Sequence, residues 1–220
     1  MKIVSLNVGK PRTVLDGDRE VLTGIFKSPA PGPLLLRRLN LDGDCQADLR
    51  VHGGRTKAVY AYSSEHYEFW RKELPEQELP WGMFGENFTT EGLLEDSACI
   101  GDQFRIGEAL VKVTQPRMPC FKLGIRFGRP DMVKRFLASR RSGIYFSVIE
   151  EGMVNVGDAI ARIHEDDNRF SIADINRAYA DTKNNLPLVR RIVELGILPQ
   201  GLHEEFAEEL ALLEQQAAQR

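Results

Sequence analysis

The sequence predicts a mostly β, α+β protein: a closed, barrel-like sheet with peripheral helices, followed by a small C-terminal three-helix unit. Three observations predict it. Up to about residue 164 the chain is a succession of short β-rich runs separated by Gly, Pro and Asp turns, a texture that favours a barrel or a curved, closed sheet. Beyond the polar, acidic hinge Glu165-Asp166-Asp167-Asn168 the pattern changes to helical periodicity. The composition, 42% hydrophobic and 28% charged over 220 residues, is that of an ordinary folded chain with room for one sizeable core and an appendage. A β-rich domain is expected over residues 1–165 and a helical one over 168–220.

Taken in order, residues 2–6, 21–26, 58–62, 103–106, 109–114, 143–149 and 159–164 read as strands, rich in β-branched or aromatic residues and bounded by turn formers. Gly107-Glu108 lies between two of them and predicts a tight hairpin connection. Two helices interrupt the pattern. One follows Ser63-Ser64, which can cap it, over 65–73; the other, over 131–139, spaces Met132, Val133, Phe136 and Leu137 on one face. In the tail, Ser171 opens a helix running to about residue 180, with Asp174 three positions on as a capping-box variant. Asn184-Asn185 cap a second, with Pro187 near its first turn and Gly196 at its end. A third, over 202–216, carries Phe206, Leu210 and Leu213 at helical spacing.

Composition also excludes. The first residues are too short in apolar length for a signal peptide, and no run approaches the roughly 20 apolar residues of a membrane span, so a cytoplasmic protein without a membrane partner is expected. A pair of short tail helices suggests a DNA-binding motif, but residues 168–220 hold eight acidic against six basic side chains, the wrong sign for gripping phosphates. Nucleic acid is therefore not an expected partner. Three cysteines (Cys45, Cys99, Cys120) without a C-x-x-C pair argue against a disulfide framework and a structural zinc site. Four scattered histidines offer no metal-binding spacing, so any metal has to arrive already held by a cofactor.

The stretch that points to chemistry is Gln115-Pro116-Arg117-Met118-Pro119-Cys120. The chain carries net charge −3, yet residues 100–145 hold ten Lys/Arg against three Asp/Glu. A thiol beside positive charge ionises more easily, and only the thiolate is a good nucleophile or metal ligand. Concentrated positive charge also suits an anionic ligand. Three roles stay open for Cys120: a nucleophile, for which no local protease-like signature is present; a ligand to a metal whose other ligands come from a cofactor; and an inert core thiol. Helix formation over 121–127 would place its positive end at the sulfur. Cys45 and Cys99 lack the basic context and read as structural.

Three loops supply candidate partners. In Asp48-Leu49-Arg50-Val51-His52-Gly53-Gly54-Arg55-Thr56-Lys57 the paired glycines allow a sharp bend while Arg55 and Lys57 add charge, which suits phosphate; a plain turn is the competing reading. Gly82-Met83-Phe84-Gly85-Glu86-Asn87-Phe88 holds an amide able to donate to and accept from a heterocycle, and a carboxylate able to orient Lys57 or an arginine. The alternative is a turn anchored by its phenylalanines. Arg140-Arg141-Ser142-Gly143-Ile144-Tyr145 sets two arginines and a hydroxyl before a strand, either a phosphate grip or a solvated basic turn.

Together Asp48, His52-Gly53-Gly54, Lys57-Ala58-Val59, Gly85-Glu86-Asn87, Gly101-Asp102, Gln115-Pro116-Arg117 with Pro119-Cys120 and Leu123, Ser142-Gly143 with Tyr145, and Gly157-Asp158 resemble the MOSC domain family, in order and over nearly the whole chain. The likeness is to its YiiM-type branch, in which a three-helix segment follows the domain. It implies a MOSC-type barrel-like fold and a molybdenum cofactor, a pterin dithiolene with a terminal phosphate (Mo-molybdopterin), with Cys120 as the protein ligand to molybdenum. It further implies cofactor binding by His52, Gly53, Gly54, Lys57, Asn87, Arg117, Arg141, Ser142 and Tyr145. The implied activity is reduction of small N-hydroxylated bases, 6-hydroxylaminopurine among them, and related N-oxygenated compounds. Electrons then come from a separate reductase, since no G-x-G-x-x-G nucleotide fingerprint follows a predicted strand. Two alternatives share Cys120: a non-catalytic cofactor binding or transfer protein, and a sulfur carrier using a Cys120 persulfide. A homodimer is compatible with all three.

Overall fold

A computed structural model describes residues 1–48 and 53–219. Its centre is an eight-stranded sheet in the order β12-β8-β9-β10-β6-β7-β1-β4. The strands are β1 (Lys2–Val8), β4 (Ser28–Pro29), β6 (Val59–Ser63), β7 (Phe88–Glu91), β8 (Gln103–Ile106), β9 (Ala109–Pro116), β10 (Ile144–Glu150) and β12 (Ile160–His164). Two small ladders flank it: the hairpin β2 (Arg12–Asp16)–β3 (Arg19–Thr23), and β5 (Leu34–Leu36) with β11 (Gly152–Val154).

The expected closed barrel is not found. The sheet is open, with β12 and β4 at its ends, and its first strand meets the stretch before β12 only at one corner. There Ile3 N–H donates to the Asp158 carbonyl at 3.0 Å and Ile160 N–H to that of Met1 at 2.9 Å. The expected strand over 21–26 is also corrected: it is β3, displaced toward the N-terminus and paired with β2 outside the main sheet. Gly107, at φ 54°, makes the expected tight β8–β9 turn, the left-handed conformation such a turn requires.

Strand β6 explains why there are two cores. It lies inside the sheet, flanked by β10 and by the parallel β7, and all five of its residues are buried. Because side chains alternate across a strand, Val59 and Ala61 enter one apolar cluster while Tyr60 and Tyr62 enter the other. The first cluster is mainly aliphatic, joined by Val111 and Val113 of β9 and by Phe146 of β10. The second is aromatic and holds Tyr67 and Trp70 of α1 (Ser64–Glu73), Phe84, and residues of α2 (Phe121–Phe127) and α3 (Met132–Ser139). Tyr62 stacks on Phe84 at 4.5 Å. The parallel β6–β7 pair needs a crossover, and α1 provides its helix.

The tail forms α4 (Ile172–Ala180), α5 (Leu186–Leu195) and α6 (Gln200–Ala218). The expected capping box is made: Asp174 N–H donates to Ser171 Oγ at 3.0 Å and Ser171 N–H to Asp174 Oδ2 at 3.1 Å. Gly196 ends α5 in the left-handed region at φ 56°. These helices do not stand apart. Ile172, Ile175, Val189, Ile192 and Phe206 belong to the same aliphatic cluster as the sheet, so the core runs continuously into the tail. Among the described residues no helix is long and apolar enough to cross a membrane.

Candidate functional site

Strand β9 delivers the chain to the site. Past its last residue, Pro116, Arg117 turns inward and is only 7% exposed. Its guanidinium carbon lies 4.9 Å from the Tyr60 ring centre and 5.7 Å from that of Phe136, and the group donates to the Phe84 carbonyl. Burial alone would favour the neutral form, but Tyr60, Tyr145 and the Cys120 sulfur favour the cation and keep its pKa above the ordinary arginine range. Three residues on, Cys120 follows Pro119 with extended backbone and precedes α2, its carbonyl accepting from Leu123 N–H at 2.9 Å. Its side chain is half-buried at the wall of a cleft of about 650 Å³, mouth included.

Around Cys120 this cleft gathers Lys57, Arg117, Asn87 and Tyr145, residues far apart in sequence that were expected to act together. Lys57 sits at the end of a short 3-10 turn, Arg55–Lys57, opened by Gly54 at φ 87°. Thr114 of β9 pins that turn, its hydroxyl donating to the Thr56 carbonyl at 2.6 Å. Burial lowers the Lys57 pKa, and Glu205 of α6 partly restores it. Tyr145 packs against Tyr60 with ring centres 5.1 Å apart, and burial raises its hydroxyl pKa.

Lys27, Asp44, Lys122 and Cys45 are among the lining residues that were not expected. Lys27 and Asp44 form a buried ion pair, and Asp44 also accepts from Gly9 N–H at 2.9 Å and Asn87 Nδ2 at 2.8 Å. Desolvation lowers the Lys27 pKa, with Asp44 opposing. Lys122, from the first turn of α2, adds a further cation. Cys45, read from sequence as structural, is instead an exposed thiol lining the same cleft as Cys120. Only the basic segment around Cys120 marked Lys122 beforehand; Lys27 and Asp44 are 17 residues apart in no motif, and only folding pairs them. Cys99 is buried, as a structural thiol should be, and burial raises its pKa. With Lys27 and Asp44 offsetting each other, the described lining keeps Lys57, Arg117 and Lys122 against Asp48.

Other expectations are revised. Glu86 does not serve to orient a cation. Fully buried, it accepts from Gly82 N–H at 2.8 Å, Phe84 N–H at 3.1 Å, Thr89 Oγ1 at 2.9 Å and the Tyr67 hydroxyl. Asn87 lines the cleft, but its amide nitrogen serves Asp44 and its oxygen accepts from Tyr60 N–H at 3.2 Å, so it braces the wall. Arg141 and Ser142 are not in the described cleft lining. Arg141 lies 3.8 Å over the Phe69 ring. Ser142 is buried, accepts from Asn176 Nδ2 of α4 at 2.9 Å and borders a second cleft that Arg117 also lines. The reason is topological: Gly143, at φ 67°, enters β10 tight against β6, turning the preceding loop away from the Cys120 side. Gly53 and Gly54 lie outside the described lining, and Gly54 opens the turn that ends at Lys57. His52 lies outside the described residues.

The mixed sheet thus borders a cleft whose described lining holds two thiols, Cys120 and Cys45, among more cations than anions. The chain belongs to the MOSC domain family, whose pattern matches residues 48–161, and within it to the YiiM-type proteins. It is 41% identical to protein YflK of Bacillus subtilis over 93% of this chain and 92% of the relative. The crystal structure of YiiM from Geobacillus stearothermophilus superposes with a TM-score of 0.79 at 35% identity, covering 95% of this chain and 98% of that one. A protein named reductase from Gibberella moniliformis is 31% identical over 80% of this chain, a match covering 32% of its own length.

Proposed function

We propose that this chain binds a molybdenum cofactor with Cys120 as metal ligand and reduces N-hydroxylated bases such as 6-hydroxylaminopurine and related N-oxygenated compounds. One observation carries the reading: Cys120 shares a cleft with Lys57, Arg117 and Lys122, while no three His, Cys, Asp or Glu side chains among the described residues are grouped to hold a bare metal ion. A single thiol suits a metal that brings its other ligands with it, and the cationic lining suits a phosphate, so the residues fit this group. When bound, the cofactor would supply two-electron chemistry at its metal. The chain's own part is to hold and shape. Arg117 sets its charge in the cleft wall three residues before Cys120, Lys57 and Lys122 would meet phosphate oxygens, and Tyr60 and Tyr145 shape the wall. The relative named reductase supports an oxidoreductase. The same reading takes residues 1–165 as the cofactor domain and 168–220 as an appended unit, in a cytoplasmic protein supplied with electrons by a separate reductase. Homodimerisation is then read from its mass in solution.

The test is metal analysis of protein produced with molybdate, followed by turnover of 6-hydroxylaminopurine or an amidoxime with a chemical electron donor. Cys120→Ala should lose activity and molybdenum while remaining folded; full activity in that variant removes the proposed role. A second reading, cofactor transfer or sulfur carriage on a Cys120 persulfide, draws support from Cys45 in the same cleft. Bound molybdenum without turnover, or sulfur released by a thiol reductant, favours that reading instead.

A further inference from the structure

We propose that a basic groove beside the start of α6 receives the acidic outer face of α6 from a second copy of this chain, giving a two-fold dimer. The groove encloses about 1150 Å³, mouth included, and its described lining carries Arg38, Arg55 and Lys112 against the single carboxylate of Asp166. All three basic residues are exposed, and among the described residues none of them is in an ion pair. Asp166 is engaged in its own loop, accepting from the Asn168 N–H and from Asn168 Nδ2, each at 3.0 Å. The groove therefore keeps an excess of positive charge in a chain whose net charge is −3. Lys112 is set there by strand alternation. Its neighbours Val111 and Val113 enter the aliphatic core, which sends Lys112 to the other face of β9. Its partner across the ladder, Ser147 of β10, lines the groove as well.

Helix α6 carries the complementary surface. It holds Glu204, Glu205, Glu208, Glu209 and Glu214 without one Lys or Arg. Leu202, Phe206 and Leu210 recur every fourth residue and are buried. Glu204, Glu208 and Leu212 follow each of these by two positions, about 200° around the helix, and all three are exposed. Leu212 is 54% exposed, an apolar side chain on an otherwise acidic stripe. The groove offers cations for that stripe and apolar residues, Ile197 and Leu198, for the leucine. Ile197, Leu198 and Pro199 line the groove, and α6 begins at the next residue, so groove and helix are contiguous on one surface. A patch that carries both halves of a complementary pair side by side is self-complementary about a two-fold axis, and association then closes at a dimer. The proposal gives the homodimer reading its interface. It uses neither Cys120 nor the residues around it, so it stands apart from the cofactor.

The experiment is sedimentation velocity of the full-length protein over a range of concentrations, at low salt and in about 1 M NaCl, where the screening length is about 3 Å. Wild type is compared with a groove variant, Arg38→Glu with Lys112→Glu, and a helix variant, Glu204→Lys with Glu208→Lys. Wild type should be dimeric at low salt and dissociate in high salt. Each variant alone should associate at least about tenfold more weakly, because groove and helix then carry like charges. Mixed in equal amounts the two should recover the dimer, since the acidic groove of one now meets the basic helix of the other, and the reverse pair is also of opposite sign. Wild type that is monomeric at every concentration overturns the proposal. So does a dimer that survives both pairs of reversals, or a mixture that stays monomeric although circular dichroism shows both variants folded. Monomeric wild type that nonetheless binds molybdenum overturns the pairing and leaves the cofactor reading standing.

Discussion

Arg117 and Tyr60 form one unit: the guanidinium carbon lies 4.9 Å from the tyrosine ring centre, while the Tyr60 hydroxyl donates to the Ser142 carbonyl at 2.7 Å. One tyrosine thereby contacts both Arg117 of the thiol segment and the loop that carries Ser142. Arg117→Lys should keep the charge but lose the planar stack and its fit to the Phe84 carbonyl, costing about 1–3 kcal/mol. Urea denaturation measures this, and an unchanged midpoint would show that the stack contributes nothing. Tyr60→Phe retains the ring and should cost only about 0.5–1.5 kcal/mol for the lost hydrogen bond.

Lys27 and Asp44 are each nearly inaccessible and pair with one another. Removing one partner strands a buried charge, so Lys27→Met should destabilise by about 3–5 kcal/mol. Adding Asp44→Asn should recover much of that loss. A double variant as unstable as the sum of the single ones would disprove the coupling.

Glu86 gives a pH dependence of defined sign. Burial raises its pKa above the ordinary 4.5, against the pull of its four donors. Below that value both the folded and unfolded chains carry the proton. As pH rises the unfolded chain ionises first, the folded state binds more protons, and stability falls until Glu86 ionises in the fold. The stability advantage of wild type over Glu86→Gln should therefore shrink as pH rises above 4.5. Parallel curves for the two proteins would contradict the assignment.

Lys57 should set an alkaline limit on cofactor retention. Because burial lowers its pKa from the ordinary 10.5, the ammonium is lost at a lower pH than in a free lysine, and its grip on a phosphate goes with it. Molybdenum per protein after gel filtration should decline below pH 10.5 in wild type and persist to higher pH in Lys57→Arg. Lys57→Ala removes a charge-assisted contact worth roughly 1.5–3 kcal/mol, or about ten- to a hundredfold in affinity. Equal molybdenum content in all three proteins at every pH would exclude the contact.

The strands and helices that were legible share one property: their signals are local. The Ser171–Asp174 capping box, the Gly107 turn and the Gly196 stop each depend on a few adjacent residues. What escaped was short or non-local. Strands β4 and β5 span two and three residues and exist only because a partner strand orders them. Closure of the sheet was equally illegible, since it depends on how far the twist carries β12 from β1.

The same division runs through the site. By itself the chain set Cys120 in cationic company, because Arg117 and Lys122 are its near neighbours and charge density is additive along a short segment. It also marked Lys57, which the fold brings to the same cleft as Cys120. Only the tertiary structure decided the rest. It set Lys27 against Asp44, brought Cys45 to the cleft, laid Arg141 over Phe69 and put Ser142 at a second cleft. The physical reason is that such placements follow from strand order and from the Gly143 backbone packed against β6. Those relations join residues up to a hundred positions apart, and no local pattern encodes them.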